Sequence, residues 1–255
     1  MAERPASGKQ SPQVYSIAAH RGFADALVAG LVPRYSDDGF GLARLTLLLP
    51  SARAARTISE AFIRHFGASD QAGMLMPRMA MVGDFDLDET LGSLLDPLGA
   101  GADIPPAADP TRRWLRIAEL IQLEQGEKAP RGAALMRMAR ETARVMDRLL
   151  VEDVAPEELL QDRVLDLFDD LAEHWQATLH RFATVQNRWL KELDARQALD
   201  AAARRNRLFE HAAVRWKEQP PAAPIVAAGV TSAAPALARL LRVVAELPDG
   251  AVILP

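Results

Sequence analysis

The chain has 255 residues, 49% of them hydrophobic, enough to bury the core of one large domain or two small ones. A net charge of −4 argues against a generally basic nucleic-acid coat while leaving room for a local basic groove. The absence of cysteine excludes disulfides, thiolate zinc sites, Cys-ligated iron–sulfur clusters and cysteine nucleophiles within this segment. Residues 1–12 are polar, lack the apolar core of a signal peptide and read as a disordered lead-in. Apolar runs such as Leu45–Leu49 are far too short to span a bilayer, so the expectation is a soluble, cytoplasmic protein with no membrane partner.

Val14–Leu31 has the pattern of a strand, a tight turn and a helix, with Val14–Ile17 as the strand and Ala24–Leu31 as a helix stopped by Pro33. A phosphate loop of this shape needs converging glycines, a Lys for the β/γ-phosphates and a hydroxyl for Mg²⁺. The turn instead offers Ala18, Ala19, His20, Arg21 and Gly22, with Phe23 and Ala24 where Lys and Ser/Thr would stand. His20 and Arg21 at a helix N-terminus suit a nucleic-acid phosphate or a partner's carboxylate; the competing account is an ordinary strand–helix turn with solvated side chains.

Leu45–Leu49 is an uninterrupted apolar run before Pro50, the mark of a strand buried on both faces. Ser51 is then a natural N-cap for a helix over 52–66. Ser51, Arg53 and Arg56 lie beyond the carboxyl end of that strand, where open α/β sheets place their ligands, and suit a single-strand phosphate. A capped helix with surface arginines accounts for them equally well. Met74–Val82 is expected as a third strand, which Pro77 either confines to an edge or makes irregular. The acidic stretch Gly83–Glu89 fails the EF-hand pattern and reads as a solvated loop.

After the Gly/Ala/Pro/Asp-rich loop Leu98–Pro110 the pattern turns helical, with four or five helices expected over 111–125, 132–150, 156–184 (as one helix or as two divided near Arg163) and 186–217. Arg137, Arg140, Arg144 and Arg148 form one basic stripe on the second of these. The acidic residues between Glu152 and Glu173 make pairing between adjacent helices the simpler account, with a nucleic-acid groove as the alternative. The α/β pattern then returns, with a strand at Ile225–Gly229, a helix over Ala233–Leu247 and a strand at Ala251–Leu254. Thr231 and Ser232 stand between strand and helix, placed either to contact a phosphate or base or to cap the helix. The five histidines are scattered, and no catalytic triad, metal-ligand spacing or dinucleotide fingerprint is present. A parallel strand is normally covered by its next crossover, so ending on one reads as a fragment of a longer polypeptide.

The strings VYSIAAHRGFADALVAGLVPRY, LTLLLPSARAARTISEAF, MLMPRMAMVGDFDLDE and IVAAGVTSAAPALARLLRVVAELPDGAVILP, in this order, resemble the N-terminal part of the AddB family in its alphaproteobacterial form. The resemblance implies a subunit that pairs with AddA in an ATP-dependent helicase–nuclease, which resects DNA ends in double-strand-break repair and responds to Chi. It implies a RecA-like (P-loop-NTPase-like) α/β domain over 13–110 and 218–255, interrupted by an all-helical subdomain over 111–217. Gly229–Ser232 would match the motif near the DNA channel, and Ser51–Arg56 the strand-contacting motif; the family's nuclease and iron–sulfur residues lie outside this chain. The missing phosphate-loop lysine departs from an active motor and implies an inactivated helicase-like domain that holds DNA and AddA with no cofactor in this segment. Two rivals stand beside it: an ATPase or transferase with an unorthodox phosphate loop, and a structural scaffold for the partner subunit.

Overall fold

The structure, a computed structural model, describes residues 11–36, 40–67, 75–83, 89–95, 103–161 and 172–255. They form two compact units, one of residues 1–101 and 208–255, the other of residues 102–207.

The first unit is an α/β fold with a five-stranded, all-parallel sheet. Its elements are β1 (Val14–Ser16), α1 (Phe23–Tyr35), β2 (Thr46–Leu49), α2 (Ala52–Gly67), β3 (Arg78–Met81) and the short α3 (Glu89–Leu95), followed after the second unit by β4 (Ile225–Ala228), α8 (Pro235–Glu246) and β5 (Gly250–Leu254). The strand order is β1-β5-β4-β2-β3, so β4 and β5 enter between strands supplied by the start of the chain. β2 and β4 are buried at every residue, as central strands covered on both faces must be.

The two-residue period of a strand divides those apolar runs between two cores. Leu47, Leu49, Val226, Ala228 and Ala251 face Leu27, Val28 and Leu31 of α1 and Ile58, Ala61 and Phe62 of α2. Alternate residues, among them Leu48, Ala227 and Val252, turn to the opposite face, where α8 packs on β4 and β5 and buries Leu240, Val243 and Val244. β3 is an edge strand, consistent with Pro77 immediately before it.

α1 does not stop at Pro33 but runs on to Tyr35. Pro33 lies in the last turn on the exposed side, and the carbonyl that loses its partner belongs to Ala29, also exposed, so it is left facing solvent and not buried.

The second unit is helical among its described residues, apart from one isolated parallel bridge between Ala107 and Leu199. It contains α4 (Pro110–Gln125), α5 (Ala133–Val151), α6 (Ala172–Ala195) and the start of α7 (Ala201–Glu218), with short 3₁₀ turns at Gly126–Lys128 and Pro156–Leu160. Pro110 opens α4, and the Asp109 carboxylate accepts a hydrogen bond from the Arg112 N–H at 2.8 Å, a standard cap. Ile117, Leu120 and Ile121 of α4 meet Leu135, Ala139, Ala143 and Met146 of α5 and Val185, Trp189 and Leu193 of α6.

The helix break expected between 184 and 186 is not there: α6 passes through it, with Val185 buried in the core. The chain breaks instead at residues 196–200. Gln197 takes a left-handed φ of 50°, its N–H reaches the Asp194 carbonyl, and the Ala198 N–H reaches the Leu193 carbonyl. That pair of bonds is a Schellman closure made without glycine. α5 ends the same way around Asp153, at φ 59°.

Candidate functional site

The crossovers β1→β2 and β2→β3 move across the sheet in one direction, and β4→β5 moves back in the other. With right-handed connections, this reversal puts α1 and α2 on one face and α8 on the other. It also opens a crevice outside the carboxyl ends of β2 and β4, the adjacent strands from which the chain departs in opposite senses. The segment after β2 carries Ser51, Arg53 and Arg56, and the segment after β4 carries Gly229, Thr231 and Ser232. The sheet therefore brings together at its switch point two candidate clusters separated by more than 170 residues. His20 and Arg21 leave the same carboxyl edge from β1, which is separated from β4 by β5.

Ser51 is half-buried, and its Oγ accepts a hydrogen bond from the Ala54 N–H at 3.3 Å, fixing the start of α2 as the sequence predicts. The first turn of α2 contains no acid, so Arg53 and Arg56 stand exposed beside the helix's positive end. Neither guanidinium forms an ion pair or hydrogen bond with a described residue, and the same is true of the exposed His20 and Arg21 side chains. Thr231 and Ser232 are exposed; the Ser232 hydroxyl accepts a bond from the Ala234 N–H at 3.4 Å, but the N-cap of α8 is Ala234, two residues further on, so neither hydroxyl residue is the cap.

The turn between β1 and α1 has a different chemistry. Gly22 is the N-cap of α1 and supplies no side chain, while Asp25 places a negative charge in the first turn, where an incoming phosphate would meet it. Asp25 is held there by Arg64 of α2, at 2.7 Å. Phe23, at the position a phosphate-loop lysine would take, packs against the sheet core. Gly229 follows β4 at φ 69°, and a Cβ on it would sit 3.4 Å from the Phe23 ring, so the aromatic side chain fills the space beside the end of β4. Gly83, just past β3, approaches the Pro50 carbonyl so closely that any side chain would collide with it. These two glycines shape the carboxyl edge; the sequence marked Gly229 as part of the Gly229–Ser232 segment and Gly83 only as the start of the acidic stretch, and a Gly within two residues of a strand's end is the signal for their packing role.

Among the described residues no group of three His, Cys, Asp or Glu is placed to hold a metal ion. The acidic residues Asp84, Asp86 and Asp88 lie outside the described residues. The described histidines are apart from one another in their contacts: His65 makes an edge contact with Phe66, and His180 Nδ1 lies 2.9 Å from the Gln176 carbonyl.

In the second unit the notable polar cluster is buried and was not foreseen. Arg113 is 7% exposed and lies 2.7 Å from Asp147 and 2.8 Å from Asp200, which is 1% exposed. The Trp189 indole N–H donates to both Asp200 carboxylate oxygens, at 3.0 and 3.2 Å. Burial pushes the Asp200 carboxyl above its ordinary value, against the pull of Arg113 and the Trp189 hydrogen bond. Nearby, Arg116 grips Glu192 through Nε and Nη2, and those hydrogen bonds hold the Glu192 carboxyl below its ordinary value. Every charge here is matched by a partner on another element, which is the arrangement of a scaffold.

No protein-family model matches this chain, and no curated protein matches it. No helix among the described residues is long and apolar enough to cross a membrane.

Proposed function

We propose that this chain is the N-terminal, inactivated helicase-like domain of an AddB-type subunit, binding single-stranded DNA at the carboxyl edge of its sheet and an AddA-type partner in double-strand-break repair. In this reading the first unit is a RecA-like domain and the second a helical insertion in it. The observation that carries the reading is the switch point between β2 and β4, which gathers Ser51, Arg53, Arg56, Thr231 and Ser232 at one place from two distant parts of the chain. Two exposed arginines, two exposed hydroxyls and a capped helix start are a set suited to backbone phosphates.

The same edge disfavours a nucleoside triphosphate at the β1–α1 turn. Phe23 takes the place of the phosphate-loop lysine, and Asp25 opposes an anion at the start of α1. The expected result of calorimetry with a non-hydrolysable ATP analogue and Mg²⁺ is no measurable heat of binding. Micromolar binding abolished by His20→Ala and Arg21→Ala would overturn this reading in favour of a nucleotide enzyme with an unorthodox loop.

A further inference from the structure

We infer that the outer face of α5 is a second phosphate-binding surface, one that takes the backbone of duplex DNA or RNA. The inference rests on the nucleic-acid reading above but uses a different unit of the chain. At 100° per residue, Arg137, Arg140, Arg144 and Arg148 fall within an arc of about 80°, and at 1.5 Å per residue they span about 16 Å. All four are exposed. The buried residues of α5 (Leu135, Ala139, Ala143 and Met146) lie on the opposite side, packed into the core of the unit, so the stripe faces solvent by construction. A row of four cations on a chain whose net charge is −4 is a local field of the opposite sign to the whole.

Among the described residues, the acids of α5 itself leave the row basic. Glu141 pairs with Arg144 from the same helix, Asp147 is turned inward to Arg113, and Arg137 and Arg148 have no ion pair with a described residue. Duplex is the ligand assigned to it because a straight row of four cations can neutralise the regular run of phosphates along a duplex backbone. The ring beside the stripe, Trp114, already has the Arg140 guanidinium over it at 4.8 Å. That contact fixes Arg140 and presents its charge outward without offering a stacking platform.

The test is anisotropy titration of a labelled 20-base-pair duplex and a labelled single strand of equal length across a salt series, using the full chain. Wild type is compared with Arg137→Gln/Arg144→Gln/Arg148→Gln and with Arg53→Gln/Arg56→Gln. Each phosphate contact contributes about 0.9 to the slope of log K against log salt on a duplex, so the triple variant is expected to lose about 2 to 3 from the duplex slope and at least tenfold in affinity at low salt. Single-strand binding should be lost with the Arg53/Arg56 variant instead. An unchanged duplex slope in the triple variant overturns the proposal, and a lowered melting temperature alongside it would assign the stripe to pairing within the chain. Duplex binding lost only with Arg53/Arg56 overturns it as well, while leaving the carboxyl-edge reading intact. Should the triple variant fail to fold, Arg137→Gln alone is expected to lower the slope by about 1, and Arg137→Lys to restore it.

Discussion

The two units keep their charges in opposite places. In the sheet unit the described residues bury no charged side chain: β2 and β4 bury Leu47, Leu48, Leu49, Val226 and Ala227 beside Thr46, and the charged functional candidates sit exposed at one rim. In the helical unit the interior itself holds Arg113, Asp200 and the amide of Gln186, which is buried and has no hydrogen-bond partner among the described residues. A rim whose cations are uncommitted can bind a ligand without rearranging the fold. A core whose cations are already matched is a device for fixing how helices meet, and removing one member breaks more than one contact.

That contrast predicts its largest effect at Asp200. Asp200→Ala withdraws one carboxylate from a buried guanidinium and orphans the Trp189 N–H, at a cost of about 3–5 kcal/mol in urea unfolding. A change below about 1 kcal/mol would mean that the buried cluster holds nothing together. At the rim, Ser51→Ala removes a helix cap and is expected to cost about 1 kcal/mol, while Arg53→Gln should be neutral in the same assay.

The smallest effect is one of pH. The Glu192 carboxyl titrates below its ordinary value in the fold because Arg116 hydrogen-bonds to it, so its contribution is present above the ordinary carboxylate range and is lost as pH falls through its lowered value. Asp200, raised by burial, works in the other sense, contributing below the ordinary range and losing its contribution as pH rises through its raised value. The stability gap between wild type and Glu192→Gln should therefore stay constant from pH 7 down to the ordinary carboxylate range and narrow only below it. A gap that widens on acidification would contradict the Arg116–Glu192 assignment.

Much of the sheet unit is legible from the sequence because its signals are local. Leu45–Leu49 before Pro50, Ser51 as a cap, and Ile225–Ala228 before Gly229 each state their structure in a few residues, and Pro77 marks an edge strand. The order of the strands is not local, and the switch point depends on it; the sequence shows that Ser51–Arg56 and Gly229–Ser232 follow strands, not that those strands are neighbours. The helical unit is less legible for two physical reasons. Its α6–α7 break is closed by Gln197 in a left-handed conformation with backbone bonds supplying the stop, so no glycine or proline marks it. Its buried arginine resembles every other arginine in an Arg-rich chain, and only the approach of α5 and of the residue before α7 makes Arg113 different.

The central claim, that the carboxyl edge between β2 and β4 holds nucleic-acid phosphates, is tested most directly by titrating a labelled single-stranded oligonucleotide into wild type and Arg53→Gln/Arg56→Gln at two salt concentrations. The account predicts binding that weakens steeply with salt and, in the double variant, a slope shallower by about 1.4 with unchanged folding. Absence of binding at the lower salt, where phosphate contacts are strongest, or binding indifferent to both arginines, would contradict it.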